Sequence, residues 1–153
     1  MLPLKDPSLL QTQSLIDNQW VDATDRTTID VTNPFDNQVI ATIPSLEKSQ
    51  VIDAVAIAHK AQIDWAQKTA NERAAILNKW ADLIDQNKED LAIIMTAEQG
   101  KPMTESRGEI GYANSFIRWF AEEGKRIYGD IIPSTNKDLR YVVLKQPIGV
   151  CAE

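Results

Sequence analysis

Lys145-Gln146-Pro147-Ile148-Gly149-Val150-Cys151-Ala152-Glu153 is the last stretch of this chain, and its reading decides the fold. Residues 148–152 form a short apolar run that follows a proline. Such a run suits a strand covered on both faces, as in the parallel sheet of an α/β domain. A parallel sheet needs crossover helices and further strands, and none follow. The expectation is the opening third of a longer protein, whose reactive groups lie beyond Glu153.

Working back from that run, residues 139–144 (Leu-Arg-Tyr-Val-Val-Leu) form another strand candidate. Before it, a long helix is expected over residues 104–128, with Gly129 as its C-terminal glycine. That helix carries two apolar stripes. Ile110, Ala113, Ile117, Phe120 and Ile127 form one, and Tyr112, Phe116 and Trp119 the other. A helix apolar on two sides wants neighbours on two sides, so it is either a well-buried core helix or faces sequence absent here.

Upstream, Leu91, Ile94 and Met95 lead to Gly100-Lys101-Pro102, a glycine-then-proline stop. Asn87 to Asp90 marks a break and a fresh start. Thr69-Ala70-Asn71-Glu72 is a capping box, followed by Ala74, Leu77, Trp80, Ala81 and Ile84 at helical spacing. Ser49 is placed to cap an earlier helix, with Ile52, Val55, Ala56, His59, Ile63 and Ala66 on one stripe. The first part of the chain reads as strands. Residues 15–21 enclose a polar turn, residues 27–31 are β-branched, Asn33-Pro34-Phe35-Asp36-Asn37 is a turn, and residues 39–43 form a strand stopped by Pro44.

The composition is that of a globular protein, with 43% hydrophobic and 25% charged residues. A net charge of -6 repels phosphate backbones, so nucleic acid and anionic membrane are poor partners. The first residues, Met1-Leu2-Pro3-Leu4-Lys5-Asp6-Pro7, lack the basic-then-apolar pattern of a signal peptide. A single cysteine allows no internal disulfide and fits a cytoplasmic setting.

Groups that do chemistry are scarce. His59 sits beside Val55 and Ile63 and reads as a partly buried structural histidine. No second histidine and no cysteine pair exists for zinc. Cys151, inside the apolar run, is expected to be buried and inert. Gly108-Glu109-Ile110-Gly111 lies within the helical pattern and follows no strand, so it is not a phosphate loop but a place of close packing. Arg118 is the strongest functional candidate among the charged residues of the long helix.

Four segments in register resemble the aldehyde dehydrogenase superfamily. They are Asp30-Val31-Thr32-Asn33-Pro34, Glu98-Gln99-Gly100-Lys101-Pro102, Lys145-Gln146-Pro147-Ile148-Gly149-Val150, and the run Trp119-Phe120-Ala121-Glu122-Glu123-Gly124-Lys125-Arg126-Ile127-Tyr128-Gly129. Within that family, the stretch from Gly108 to Pro133 most resembles the succinate-semialdehyde dehydrogenases. The resemblance implies an α/β subunit: N-terminal β-hairpins and helices, cut at the first strand of a Rossmann-like sheet. It divides the chain into a flexible N-terminus (1–14), strands and helices of the nucleotide-binding domain (15–136), the start of an oligomerisation β-extension (137–147) and the first Rossmann-like strand (148–153).

The same resemblance implies NAD or NADP as cofactor, a small aldehyde as substrate and a homo-oligomeric parent. It places the nucleophilic cysteine, the glutamate base, the oxyanion asparagine and the cofactor-binding lysine beyond Glu153, so no catalytic or cofactor-binding residue is expected here. Two sets of residues are carried over. Gly108, Tyr112 and Phe116 would line a substrate-entry funnel, and Val31, Thr32 and Glu98 would ligate a structural monovalent cation. The isolated chain is expected to be inactive and to expose apolar surface. The alternative is an autonomous, non-enzymatic helical interaction module that uses the long helix as its groove.

Overall fold

The structure, a computed structural model, describes residues 2–151. It opens with a short 3-10 turn, Pro7–Leu9. Strands β1 (Ser14–Ile16) and β2 (Gln19–Val21) follow as an antiparallel hairpin with Leu15 opposite Trp20. Its two turn residues, Asp17 and Asn18, both take positive φ (51° and 58°), the backbone of the two-residue turn that matches strand twist. Strands β3 (Thr28–Thr32) and β4 (Val39–Pro44) form a second antiparallel hairpin, with a register shift between Val31 and Thr32. The Asn33 side chain shapes the intervening turn by accepting from the Phe35 N–H (2.9 Å).

Four helices come next: α1 (Lys48–Gln67), α2 (Ala70–Gln86), α3 (Lys88–Gln99) and α4 (Met103–Glu123). The Thr69–Glu72 box starts α2, with the Glu72 carboxylate accepting from the Thr69 N–H at 2.7 Å. Gly100, at φ 73°, ends α3 in the left-handed conformation and donates to the Thr96 carbonyl (2.8 Å). The cap of α1 is Glu47, not Ser49. Gln50 decides this: its amide oxygen accepts from the Glu47 N–H (3.2 Å) and its amide nitrogen donates to the Asp22 carbonyl (3.0 Å). The helix start is thereby pinned to the loop after β2.

The core lies where α4 crosses α2 and α3. Its buried residues are small: Ala74 and Ala81 of α2, Ala92 and Ala97 of α3, Ser106, Asn114 and Ala121 of α4. Small side chains let helix backbones approach closely, and the buried side-chain polar atoms there find partners except for the Asn114 Oδ1. Ser106 and Thr96 share a hydroxyl hydrogen bond (2.8 Å), and the Asn114 amide donates to the Ala81 carbonyl (3.0 Å).

Several expectations are corrected. Helix α4 ends at Glu123, and a 3-10 turn, Gly124–Arg126, follows it. Gly129 is no helix cap. It lies against the hairpin of β5 (Asp130–Ile132) and β6 (Tyr141–Val143), where an added Cβ would sit 2.1 Å from the Val143 carbonyl oxygen. Ala113 and Phe120 fall outside the packed face of α4, and Trp80 outside that of α2. The predicted stripe of α1, His59 included, is exposed, and α1 buries no residue.

The terminal run forms no strand over residues 144–151, and Ile148 is 94% exposed. Strand backbone groups are satisfied only by a neighbouring strand, and the three described sheets are separate two-stranded antiparallel pairs. Cys151 is exposed, not buried. Ala152 and Glu153, the end of the expected strand, lie outside the described residues.

Candidate functional site

Helical geometry puts Gly108, Tyr112 and Phe116 on one line along α4, each four residues from the last. The two rings meet edge to face, with centroids 4.8 Å apart and planes at 86°. Tyr112 is 67% exposed and Phe116 45%, and Trp119 and Phe120 extend the ridge. At its N-terminal end, a Cβ on Gly108 would meet nothing within 4 Å. The result is an aromatic ridge with a notch at its foot. Such a surface offers apolar contact and shape, but no acid, base or nucleophile.

Charge near the ridge is already engaged. Arg118 bridges Asp82 (2.9 Å) and Asp85 (2.7 Å) on α2, so it ties two helices together and is not free for a ligand. Its hydrogen bonds, first to Asp85 and then to Asp82, push the guanidinium pKa up, and the Asp85 carboxyl is held low by the same contact. Arg107 pairs with Glu89 of α3 through two nitrogens (2.9 and 2.6 Å), and Lys101 pairs with Glu109. Of the two glycines read as close-packing points, only Gly111 meets a neighbour, the Lys88 ammonium 3.1 Å from where its Cβ would lie.

Val31 and Thr32 end β3, and Glu98 lies in the last turn of α3. These two ends meet, because a Cβ on Gly100 would sit 2.8 Å from Pro34. Val31 is partly buried, while Thr32 and Glu98 are exposed. Backbone carbonyls and a carboxylate are hard oxygen donors, a type that suits an alkali or alkaline-earth cation better than zinc. Among the described residues no three His, Cys, Asp or Glu side chains gather as a metal cluster.

Two larger clefts are present. One, of about 480 Å³, lies where the end of α1 and the start of α2 face residues 145–147 and includes Trp65 and Arg73. The other, of about 690 Å³, lies between Leu2, Pro3, Phe35, Ile93 and Met103. Neither contains Tyr112 or Phe116, and neither sets a nucleophile beside a base. Among the described residues the Cys151 thiol has only the Gly149 carbonyl as a hydrogen-bond partner (3.9 Å). No helix is long and apolar enough to cross a membrane among the described residues. Sequence reasoning missed the anchoring carboxylate of Asp90 (below), because an acidic residue in a helix's first turn ordinarily reads as solvated.

The profile of the Aldehyde dehydrogenase family matches residues 20–153. The chain is 51% identical to a 3-sulfolactaldehyde dehydrogenase of Pseudomonas putida, over 99% of this chain and 31% of that protein. It is 50% identical to a glutarate-semialdehyde dehydrogenase of Pseudomonas putida, over 99% of this chain and 32% of the relative. Its fold overlays the crystal structure of a succinate-semialdehyde dehydrogenase from Burkholderia pseudomallei with a TM-score of 0.95, at 48% identity, over 97% of this chain and 31% of that one. The chain thus matches the N-terminal part of such structures and spans under a third of the length of the relatives it matches.

Proposed function

The chain belongs to the aldehyde dehydrogenase family, and on that premise we propose that it is the N-terminal portion of an NAD(P)+-dependent semialdehyde dehydrogenase that oxidises succinate semialdehyde to succinate. The observation that carries this reading is near-50% identity, over almost the whole chain, to enzymes named for aldehydes whose far end is an anion: a sulfonate in one, a carboxylate in another. In that reading the complete protein works in the cytoplasm as a homo-oligomer, and residues 137–147 begin its oligomerisation extension. NAD or NADP supplies the hydride acceptor.

The chain's own residues act as scaffold. The Gly108–Tyr112–Phe116 line walls the approach to the reacting centre, and Val31, Thr32 and Glu98 hold a monovalent cation that steadies the β3–α3 junction. The substrate's carboxylate is held elsewhere, because Arg107 and Arg118 already have carboxylate partners. The nucleophile and its base lie in residues beyond Glu153. The exposed aromatic ridge also supports a second reading, a non-enzymatic helical interaction module.

One experiment separates the two. The purified chain and the product of the gene read on past Glu153 are each given succinate semialdehyde and NAD(P)+. The expected result is turnover by the longer product and none by this chain. Turnover by the 153-residue chain that survives Cys151→Ser refutes the assignment of the missing groups. A natural product that stops at Glu153 and shows no turnover favours the module.

A further inference from the structure

We propose that residues 2–10 are a detachable strap, latched to the helices by the single carboxylate of Asp90 and forming a movable wall of the cleft beside α3. Asp90, in the first turn of α3, is only 4% exposed and is the one charged side chain buried among the described residues. One carboxylate oxygen accepts from the Lys5 N–H (3.0 Å) and the other from the Asp6 N–H (2.8 Å). The remaining hydrogen bonds of residues 2–10 are local: Leu4 to Leu2, Leu9 to Asp6, Leu10 to Pro7, Ser8 to the Asp6 side chain, and the Gln11 side chain to the Ser8 carbonyl. Among the described residues, then, every hydrogen bond that ties residues 2–10 to the chain beyond Gln11 ends on the Asp90 side chain.

The chemistry suits a latch. An ionised carboxylate is acceptor-only, so it takes both N–H groups at once, and bonds to a charged acceptor are stronger than neutral ones. Leu2 and Pro3, upstream of the latch, line the cleft of about 690 Å³ together with Ile93, Ala97 and Met103. Releasing the latch therefore removes part of that wall and exposes Met103.

Amide hydrogen exchange on the full chain tests this with two variants. In Asp90→Asn the amide nitrogen is a donor and cannot receive an N–H, so one strap bond is lost. In Lys5→Pro the donor is removed from the strap side, and the sequence of α3 is untouched. Both are expected to speed exchange across residues 4–10 by about tenfold or more, with α3 and α4 unchanged. Met103 is expected to oxidise faster in peroxide than in the parent chain, and Met95 to serve as the unchanged control. Unaltered exchange over residues 4–10 in both variants overturns the latch. So does an Asp90→Asn chain that loses protection throughout α2–α4 while Lys5→Pro leaves the strap protected. Faster strap exchange without faster Met103 oxidation overturns the wall.

Discussion

At the scale of single residues, two glycines and one carboxylate show how local chemistry sets the backbone. Gly129 has no room for a methyl group, since its Cβ would lie 2.1 Å from the Val143 carbonyl oxygen. Gly129→Ala is expected to separate β5 from β6 and cost about 1–3 kcal/mol, read as lost amide protection in that hairpin and a lower denaturation midpoint. Gly100 ends α3 at φ 73°, and that stop was readable from the Gly-Lys-Pro sequence; its approach to Pro34 was not, nor was the role of Gly129, whose partner is fourteen residues away. The Asp90 carboxyl is held below its ordinary value of 3.8, first by the Lys5 N–H and then by the Asp6 N–H, with Lys5 also favouring the charged form and Glu89, itself paired with Arg107, nearby. A carboxyl whose pKa is lower folded than unfolded contributes stability that is present above the unfolded value and lost as pH falls through the folded one. Protection of the Lys5 and Asp6 amides, corrected for intrinsic exchange, is therefore expected to hold at neutral pH and vanish in acid below about that range. Asp90→Asn should abolish this dependence.

At the scale of elements, packing separates two kinds of helix face. The inner face of α4 (Ser106, Asn114, Ala121) touches α2 and α3, and its outer face carries the ridge. Ala81→Leu, at a site with no exposure, is expected to destabilise by about 1–3 kcal/mol through overpacking. Tyr112→Ala should cost no more than about 0.5–1.5 kcal/mol, the worth of its edge-to-face contact. Urea melts of the two variants check the contrast. Helix starts and stops written in adjacent residues, such as Thr69 with Glu72 and Gly100 with Pro102, were legible in the sequence. The start of α1 was not, because Thr24 and Asp22, far back in the chain, tip the choice toward Glu47. Strand β5 escaped notice because three residues carry too little periodicity. The stripe of Tyr112, Phe116 and Trp119 was legible as spacing; the set Gly108, Tyr112 and Phe116 and the grouping of Val31, Thr32 and Glu98 rest on family resemblance.

At the scale of the whole molecule, large apolar side chains lie outside the core in quantity. Val51, Ile52, Val55 and Ile63 of α1, the α4 ridge, and Ile131, Val142, Leu144 and Ile148 toward the C-terminus are all exposed, while among the described residues the largest fully buried side chain is Ser106. Each large apolar side chain left in water forgoes roughly 1.5–3 kcal/mol of burial, against a usual net stability of about 5–15 kcal/mol. On the proposed reading, these exposed faces are ones that a longer protein would cover. Dye binding during a thermal melt, followed for the purified chain and for the longer product, tests this most directly. The account predicts strong binding of an apolar-surface dye and self-association for the 153-residue chain, and little binding for the longer product. A cooperative, monomeric melt of the short chain with no dye bound would contradict it.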